Sequence, residues 1–273
     1  MEIKAADVAK LRKMTGAGMM DCKKALIEAE GDYAKAQDII REKGKLVAAK
    51  RADRSATEGV VVSKIVGGKG YMLCLACETD FVAKNSEFSV TADEILEIAV
   101  KADAADLDAL KAVSVEAGRT VADKVTEKSG QTGEKVELVY YAKIEAPMCV
   151  TYIHTNHKLG VLVGFNKEIA METAKDVAMQ AAAMAPVSID KGDCDPKIIE
   201  HERMIGREQA RQEGKPEAML DKIAEGKVNK FLKENTLLNQ DLVKNNKISV
   251  GTYIKEADKD ATVIAYKRFS LND

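Results

Sequence analysis

The tightest constraint on this fold lies between residues 60 and 77. The runs Val60-Val61-Val62-Ser63-Lys64-Ile65-Val66 and Tyr71-Met72-Leu73-Cys74-Leu75-Ala76-Cys77 flank Gly67-Gly68-Lys69-Gly70. Two β-branched and apolar runs joined by a four-residue, Gly-rich loop predict a β-hairpin. On both sides of it the apolar spacing turns helical, so small sheets must combine with helices in an α+β class. Aromatic residues make up only 4% and Trp is absent, which leaves Ala, Val, Ile, Leu and Met to build the interior. Several small, helix-rich cores are therefore expected instead of one large aromatic one.

Before the hairpin the signals are all helical. Val8 and Leu11, spaced i, i+3, predict a first helix that Thr15-Gly16-Ala17-Gly18 ends. A second runs from about Met19 to Ala29, with Ala25, Leu26 and Ala29 on one face, and Gly31 stops it. Asp32 is placed to cap a third, in which Ala36, Ile39 and Ile40 face inward and which Gly44 closes. Residues 1–55 thus read as a three-helix bundle and linker, near the lower size limit for independent folding. The cations Arg41, Lys43, Lys45, Lys50, Arg51 and Arg54 have no aromatic among them on which a base could stack. With 42 basic and 44 acidic residues overall, that stretch reads as a solvated linker helix, and no direct nucleic-acid partner is expected.

After the hairpin, helical periodicity returns at Ile95, Leu96, Ile98 and Ala99 and again at Val121 and Val125. Val136, Leu138, Tyr140, Ala142 and Ile144 then alternate with mostly polar neighbours, the pattern of a half-buried strand. Two more strands are predicted at 150–154 and 161–165, and a helix from about Ile169 to Ala185 with Ala174, Val177, Ala178 and Ala181 on one face. Pro186 ends it, because the residue before proline disfavours the α region. Strand, hairpin and helix look repeated, which predicts two related α+β subdomains with small antiparallel sheets, at 56–135 and 136–273. Within the second, Asp195-Pro196 and Gly214-Lys215-Pro216 bracket two helices joined by a tight turn. Their thin apolar seam (Ile198, Ile199, Ile205, Leu220, Ile223, Phe231) predicts an antiparallel helical hairpin, inserted at about 190–232 and projecting into solvent. Residues 261–269 read as a last strand.

No apolar run approaches the ~20 residues needed to span a bilayer. Met1-Glu2-Ile3-Lys4 leads into a polar helix and not into a secretory apolar region. Five cysteines, an odd number, fit reduced thiols, so a cytoplasmic protein without membrane partners is expected. Cys74 and Cys77 have the spacing of a metal or redox pair, but inside a strand residues three apart point to opposite faces. Buried inert thiols are the expectation. His154 and His157 have no carboxylates around them to complete a ligand set. Gly67-Gly68-Lys69-Gly70 joins two strands and opens no helix, so it is not a phosphate loop, and no nucleophile elbow is present. The chain reads as a binding protein, not an enzyme, with no cofactor, no metal and no small-molecule substrate of its own.

One segment stands apart. Glu78-Thr79-Asp80-Phe81-Val82-Ala83-Lys84-Asn85 follows a strand and has turn character from Asp80 and Asn85. Phe81 is one of only five Phe in the chain. Spacing leaves two readings open: Phe81 folds back into the core, or a loop presents it as an aromatic anchor of the kind that dominates protein interfaces.

Met14-Thr15-Gly16-Ala17-Gly18-Met19-Met20-Asp21-Cys22-Lys23-Lys24-Ala25-Leu26 closely resembles the N-terminal signature of the bacterial translation elongation factor Ts family. Thr79-Asp80-Phe81-Val82-Ala83-Lys84 resembles the second signature of that family. Leu159-Gly160-Val161-Leu162-Val163, Gly214-Lys215-Pro216, Glu225-Gly226-Lys227 and Lys230-Phe231 match later family positions in order, so the resemblance covers nearly the whole chain. It implies a guanine-nucleotide exchange factor for the GTPase elongation factor Tu. It also implies that residues 1–55 form a ubiquitin-associated-like module docking on the GTPase, with Arg12, Met19, Met20 and Lys23 in that contact. Thr79, Asp80, Phe81 and Val82 would approach the partner's Mg2+ site, and the helical hairpin would be a protruding coiled coil. His154 lies in a string similar to the family's Tyr-x-His and is carried over to partner binding on that basis.

Two positions depart from the family pattern. Where relatives often carry Ile-Gly this chain has Ser129-Gly130. It stops at Ser270-Leu271-Asn272-Asp273, so a contact made by the further C-terminal helix of some relatives is expected to be absent. A non-exchanging helical adaptor would have no reason to carry the Thr79–Val82 segment, and an RNA-binding accessory protein would show salt-sensitive affinity for RNA.

Overall fold

A computed structural model describes residues 3–116 and 118–272; Met1, Glu2, Ala117 and Asp273 lie outside the described residues. Local caps set the first three helices. α1 (Ala5–Thr15) ends at Gly16, whose φ of 66° is a left-handed cap that suits glycine. α2 (Met19–Glu28) follows, and α3 (Tyr33–Lys50) starts where the Asp32 carboxylate accepts from the N–H groups of Ala34 and Lys35. Val8, Leu11, Cys22, Ala25, Leu26 and Ala36 form the core of this bundle.

The expected hairpin is present as β1 (Glu58–Val66) and β2 (Lys69–Cys77), but its turn is tighter than predicted. Gly67 and Gly68 alone reverse the chain, at φ 56° and 79°, where two positive φ values match the twist of the strands. The segment expected to be a loop is a single helical turn, α4 (Asp80–Ala83). Next come α5 (Ser86–Ala102), α6 (Leu107–Ala112), a ribbon of β3 (Ser114–Glu116) and β4 (Arg119–Thr120), and α7 (Val121–Thr132). β5 (Glu137–Glu145) completes a three-stranded sheet of order β1-β2-β5.

Gly44 does not close α3; it lies buried within a helix that runs on to Lys50. The reason is the crossing of α3 with α7, where a Cβ built on Gly130 would lie 2.5 Å from the Gly44 Cα. Glycine here permits close approach of two backbones instead of stopping a helix. A second tie joins α7 to the same bundle: Gln131 Nε2 donates to the carbonyl of Thr15 at 2.7 Å.

β6 (Met148–Ile153), β7 (Leu159–Phe165), α8 (Met171–Met184), α9 (Pro196–Gln212), α10 (Leu220–Asn235), β8 (Asp241–Leu242), β9 (Asn245–Ser249), α11 (Val250–Ala257) and β10 (Val263–Ser270) complete the chain. The second three-stranded sheet has order β10-β7-β6, both pairs antiparallel, with Val163 opposite Val150 and Tyr266. Val177, Ala178 and Ala181 of α8 pack on Val161, Val163 and Phe165, with Leu237, Val250 and Ile254 in the same core. The repeat therefore exists in a different order from the one expected. A hairpin, then helices, then a strand returning beside the hairpin's second member occurs twice, and the strand at Val136–Ile144 joins the first sheet.

The helical hairpin packs through smaller residues than predicted. Gly206, Ala210, Leu220, Ala224, Val228 and Leu232 are buried, whereas Ile205 is exposed and Ile198, Ile199 and Phe231 are half-buried around Cys194. Arg203–Glu225, Arg207–Asp221 and Arg211–Glu217 pairs tie α9 to the α10 side in antiparallel register. The chain divides into two compact units, Met1–Val62 with Met72–Ala142 and Leu271–Asp273, and Ser63–Tyr71 with Lys143–Ser270. Among the described residues no helix is long and apolar enough to cross a membrane.

Candidate functional site

β2 delivers the chain to Glu78 and Thr79, and α7 delivers Glu134 to the same place. The Glu134 carboxylate accepts from the N–H groups of Glu78 (3.1 Å) and Thr79 (3.0 Å) and from the Thr79 hydroxyl (2.6 Å). The Thr79 hydroxyl, which could have capped α4, thus donates to Glu134 instead. The Glu78 carboxylate in turn accepts from the Lys135 N–H (2.6 Å) and, at 2.8 and 2.9 Å, from the Arg51 guanidinium. The Lys135 N–H and the Arg51 charge hold Glu78 below its ordinary pKa. Each acidic side chain therefore bonds the other segment's backbone.

From that base α4 rises as one turn. Lys84 donates to Asp80 at 2.6 Å, which together with the N–H groups at the start of the turn lowers the Asp80 pKa. Asn85 ends the turn and accepts from the N–H of Glu87 to start α5. Phe81 is 85% exposed, so the core reading is overturned and the side chain stands in solvent. Thr79, Asp80 and Val82 are half-buried, and α4 buries no side chain completely.

The residues singled out on the N-terminal bundle are also at the surface. Met19 and Met20 are exposed at the start of α2, with Met14 and Ile27 exposed on the same bundle. Arg12 and Lys23 are exposed and form no ion pair among the described residues. No hydrogen bond or ion pair among the described residues joins this set to Thr79–Val82. His154 is exposed in the β6–β7 connection, its Nδ1 2.9 Å from the Tyr152 hydroxyl. Four of the linker cations meet carboxylates: Arg41 with Asp38 and Glu127, Lys43 with Asp21, Lys45 with Glu42 and Arg51 with Glu78. Cys74 and Cys77 are fully buried free thiols; burial raises both, Cys77 to about 12, as expected of inert thiols. Among the described residues no group of His, Cys, Asp and Glu is arranged to hold a metal ion.

Sequence reasoning missed Glu134, Glu78 and Arg51. A signal was available for the first. Glu134 follows Gly133, the left-handed cap of α7, and an acid just past a helix C-terminus is disfavoured by the helix dipole. Such a residue needs another reason to be there, and its three donors supply it.

A model of the family described as Elongation factor TS matches residues 78–273. The chain is 47% identical over 272 residues to a protein from Porphyromonas gingivalis described as Elongation factor Ts, covering 100% of this chain and 99% of that one. It is 48% identical over 274 residues to the protein of the same description from Christiangramia forsetii, covering 99% of each.

Proposed function

Since the chain belongs to the elongation factor Ts family, we propose that it is a guanine-nucleotide exchange factor that binds elongation factor Tu–GDP, displaces its Mg2+ and promotes GDP release during translation elongation in the cytoplasm. The observation that carries this reading is Phe81, a large apolar side chain 85% exposed on a polar-braced turn. An exposed aromatic stabilises nothing in its own fold, but it has the size and rigidity of an interface anchor.

GDP in the partner would be held by a nest of backbone N–H groups, with Mg2+ supplying charge neutralisation to its phosphates. Phe81 wedges against the GTPase and shifts the elements that order the ion. Asp80 and Lys84 hold the turn from the solvent side, while Thr79 and Val82 set its base. Losing the ion removes charge neutralisation from the phosphates, and GDP leaves. Arg12, Met19, Met20 and Lys23 dock the N-terminal bundle on the GTPase, their exposed methionines giving an adaptable apolar contact. His154 adds a lesser contact. Factor and GDP weaken each other's binding by the same factor, because coupling is reciprocal, so incoming nucleotide completes the cycle.

The test is release of a fluorescent GDP analogue from elongation factor Tu in stopped flow. Release should accelerate with the concentration of this protein and saturate. No acceleration at micromolar concentration overturns the reading.

A further inference from the structure

We propose that Glu134 is a positioning residue for exchange: it acts through the Thr79 end of α4 to hold Phe81 in its working orientation. This rests on the exchange reading above. α4 buries no side chain, so apolar packing does little to mount Phe81. What fixes the turn is polar. The Glu134 carboxylate takes both N–H groups that lead into α4 and the Thr79 hydroxyl, at 2.6 to 3.1 Å. Cys77 Sγ, at 3.2 Å from the Thr79 carbonyl, holds the other side of the same residue. Glu78 returns the arrangement by accepting from the Lys135 N–H next to Glu134, and Arg51 at the end of α3 locks Glu78 with two bonds.

A wedge transmits force only if its mount is stiff, and ordering a loose mount on binding would consume affinity. Glu134 supplies that stiffness before the partner arrives. Its carboxylate is taken up by the Glu78 and Thr79 N–H groups and the Thr79 hydroxyl, so its action runs through Thr79 and α4. The carboxylate is the required chemistry, since all three groups facing it are donors. An amide at this position would present an N–H2 group to them.

The chain has no Trp, so Phe81→Trp installs a unique fluorescent reporter at the tip of α4. In that background Glu134→Gln should lower the steady-state anisotropy of the introduced indole, reporting a looser turn. With Phe81 present, Glu134→Gln should slow the limiting rate of GDP release roughly tenfold, as loss of charge-assisted bonds predicts. In the Phe81→Ala background the same change should slow release by less than about twofold, because residues acting as one unit are not additive. Thr79→Val, which removes one donor and adds no mismatched one, should reproduce the effect more weakly if Glu134→Gln fails to fold. Unchanged anisotropy of the indole overturns the proposal. So does equal slowing with Phe81 present and in the Phe81→Ala background, the signature of a general structural role. If the unaltered protein does not accelerate GDP release from elongation factor Tu, the exchange reading falls, while the anisotropy still decides whether Glu134 holds the turn.

Discussion

Phe81 has 85% of its surface in water, so truncating it removes almost no buried apolar area from the fold. Phe81→Ala should leave the melting temperature within about 2 °C of the parent, as for surface changes of within about ±0.5 kcal/mol, yet slow GDP release at least tenfold. A melting temperature that falls with activity would return Phe81 to a packing role. Spacing left core and anchor both open here because a four-residue turn has no periodicity to read. What decides is the bracing by Glu134, which lies 55 residues from Thr79 in sequence. Glu78 itself yields a pH prediction. Its folded pKa lies below the unfolded value, so its contribution is complete above the ordinary glutamate range and is lost as pH falls through the folded value. Glu78→Gln should therefore melt lower than the parent at pH 7, and the two melting curves should converge below the ordinary glutamate pKa of about 4.3. A gap that persists unchanged into acid would show that the Arg51 and Lys135 bonds to Glu78 do not depend on its charge.

Caps and turns were readable from the sequence because they are decided within a few residues: Gly16 ending α1, Asp32 opening α3, Asp195-Pro196 opening α9, Ala185 stopping α8 before Pro186. Gly44 was misread because its meaning is set by another helix. A glycine that stops a helix and one that admits a neighbour look identical in one dimension. The strand at β5 was misplaced for the same reason, since alternation states which face is buried but not which sheet receives it. The α3–α7 crossing turns this into an asymmetric test. A Cβ on Gly130 would sit 2.5 Å from the Gly44 Cα, backbone that no rotamer can relieve, whereas a Cβ on Gly44 would meet Gly130 Cα and the Thr126 carbonyl at 3.6 Å, ordinary contact. Gly130→Ala should destabilise by about 1–3 kcal/mol, as overpacking does. Gly44→Ala should be tolerated or stabilise by up to about 1 kcal/mol, through better helix propensity. Denaturant titration of both variants checks the pair, and equal destabilisation would refute the close crossing.

The helical hairpin was readable as an insertion because its core is thin, and the structure explains how so thin a core suffices. α9 and α10 meet through Gly206, Ala210, Ala224 and Val228, reinforced by ion pairs at three levels, and the small cluster of Cys194, Val228 and Leu232 is separate from the core under α8. Such surface pairs are worth little each, so the hairpin is a low-stability element attached to a firmer one. Its base is closed independently: Ser188 bridges Thr236, the Val187 N–H donates to Asn235, and the Leu237 N–H donates to Ser188 at 2.9 Å. The chain entering and leaving the hairpin is therefore held side by side without it. Replacing residues 195–234 by a Gly-Ser linker of about ten residues should preserve one cooperative melting transition, since long surface segments tolerate such exchange. The Thr79–Val82 turn and Glu134 belong to the other compact unit, so the limiting rate of GDP release should stay within about threefold of the parent. If the hairpin contributes to holding the partner, the concentration for half-maximal release should rise while that limit holds. A collapse of the limiting rate with melting intact would instead make the hairpin part of the exchange step and remove Phe81 from its central place.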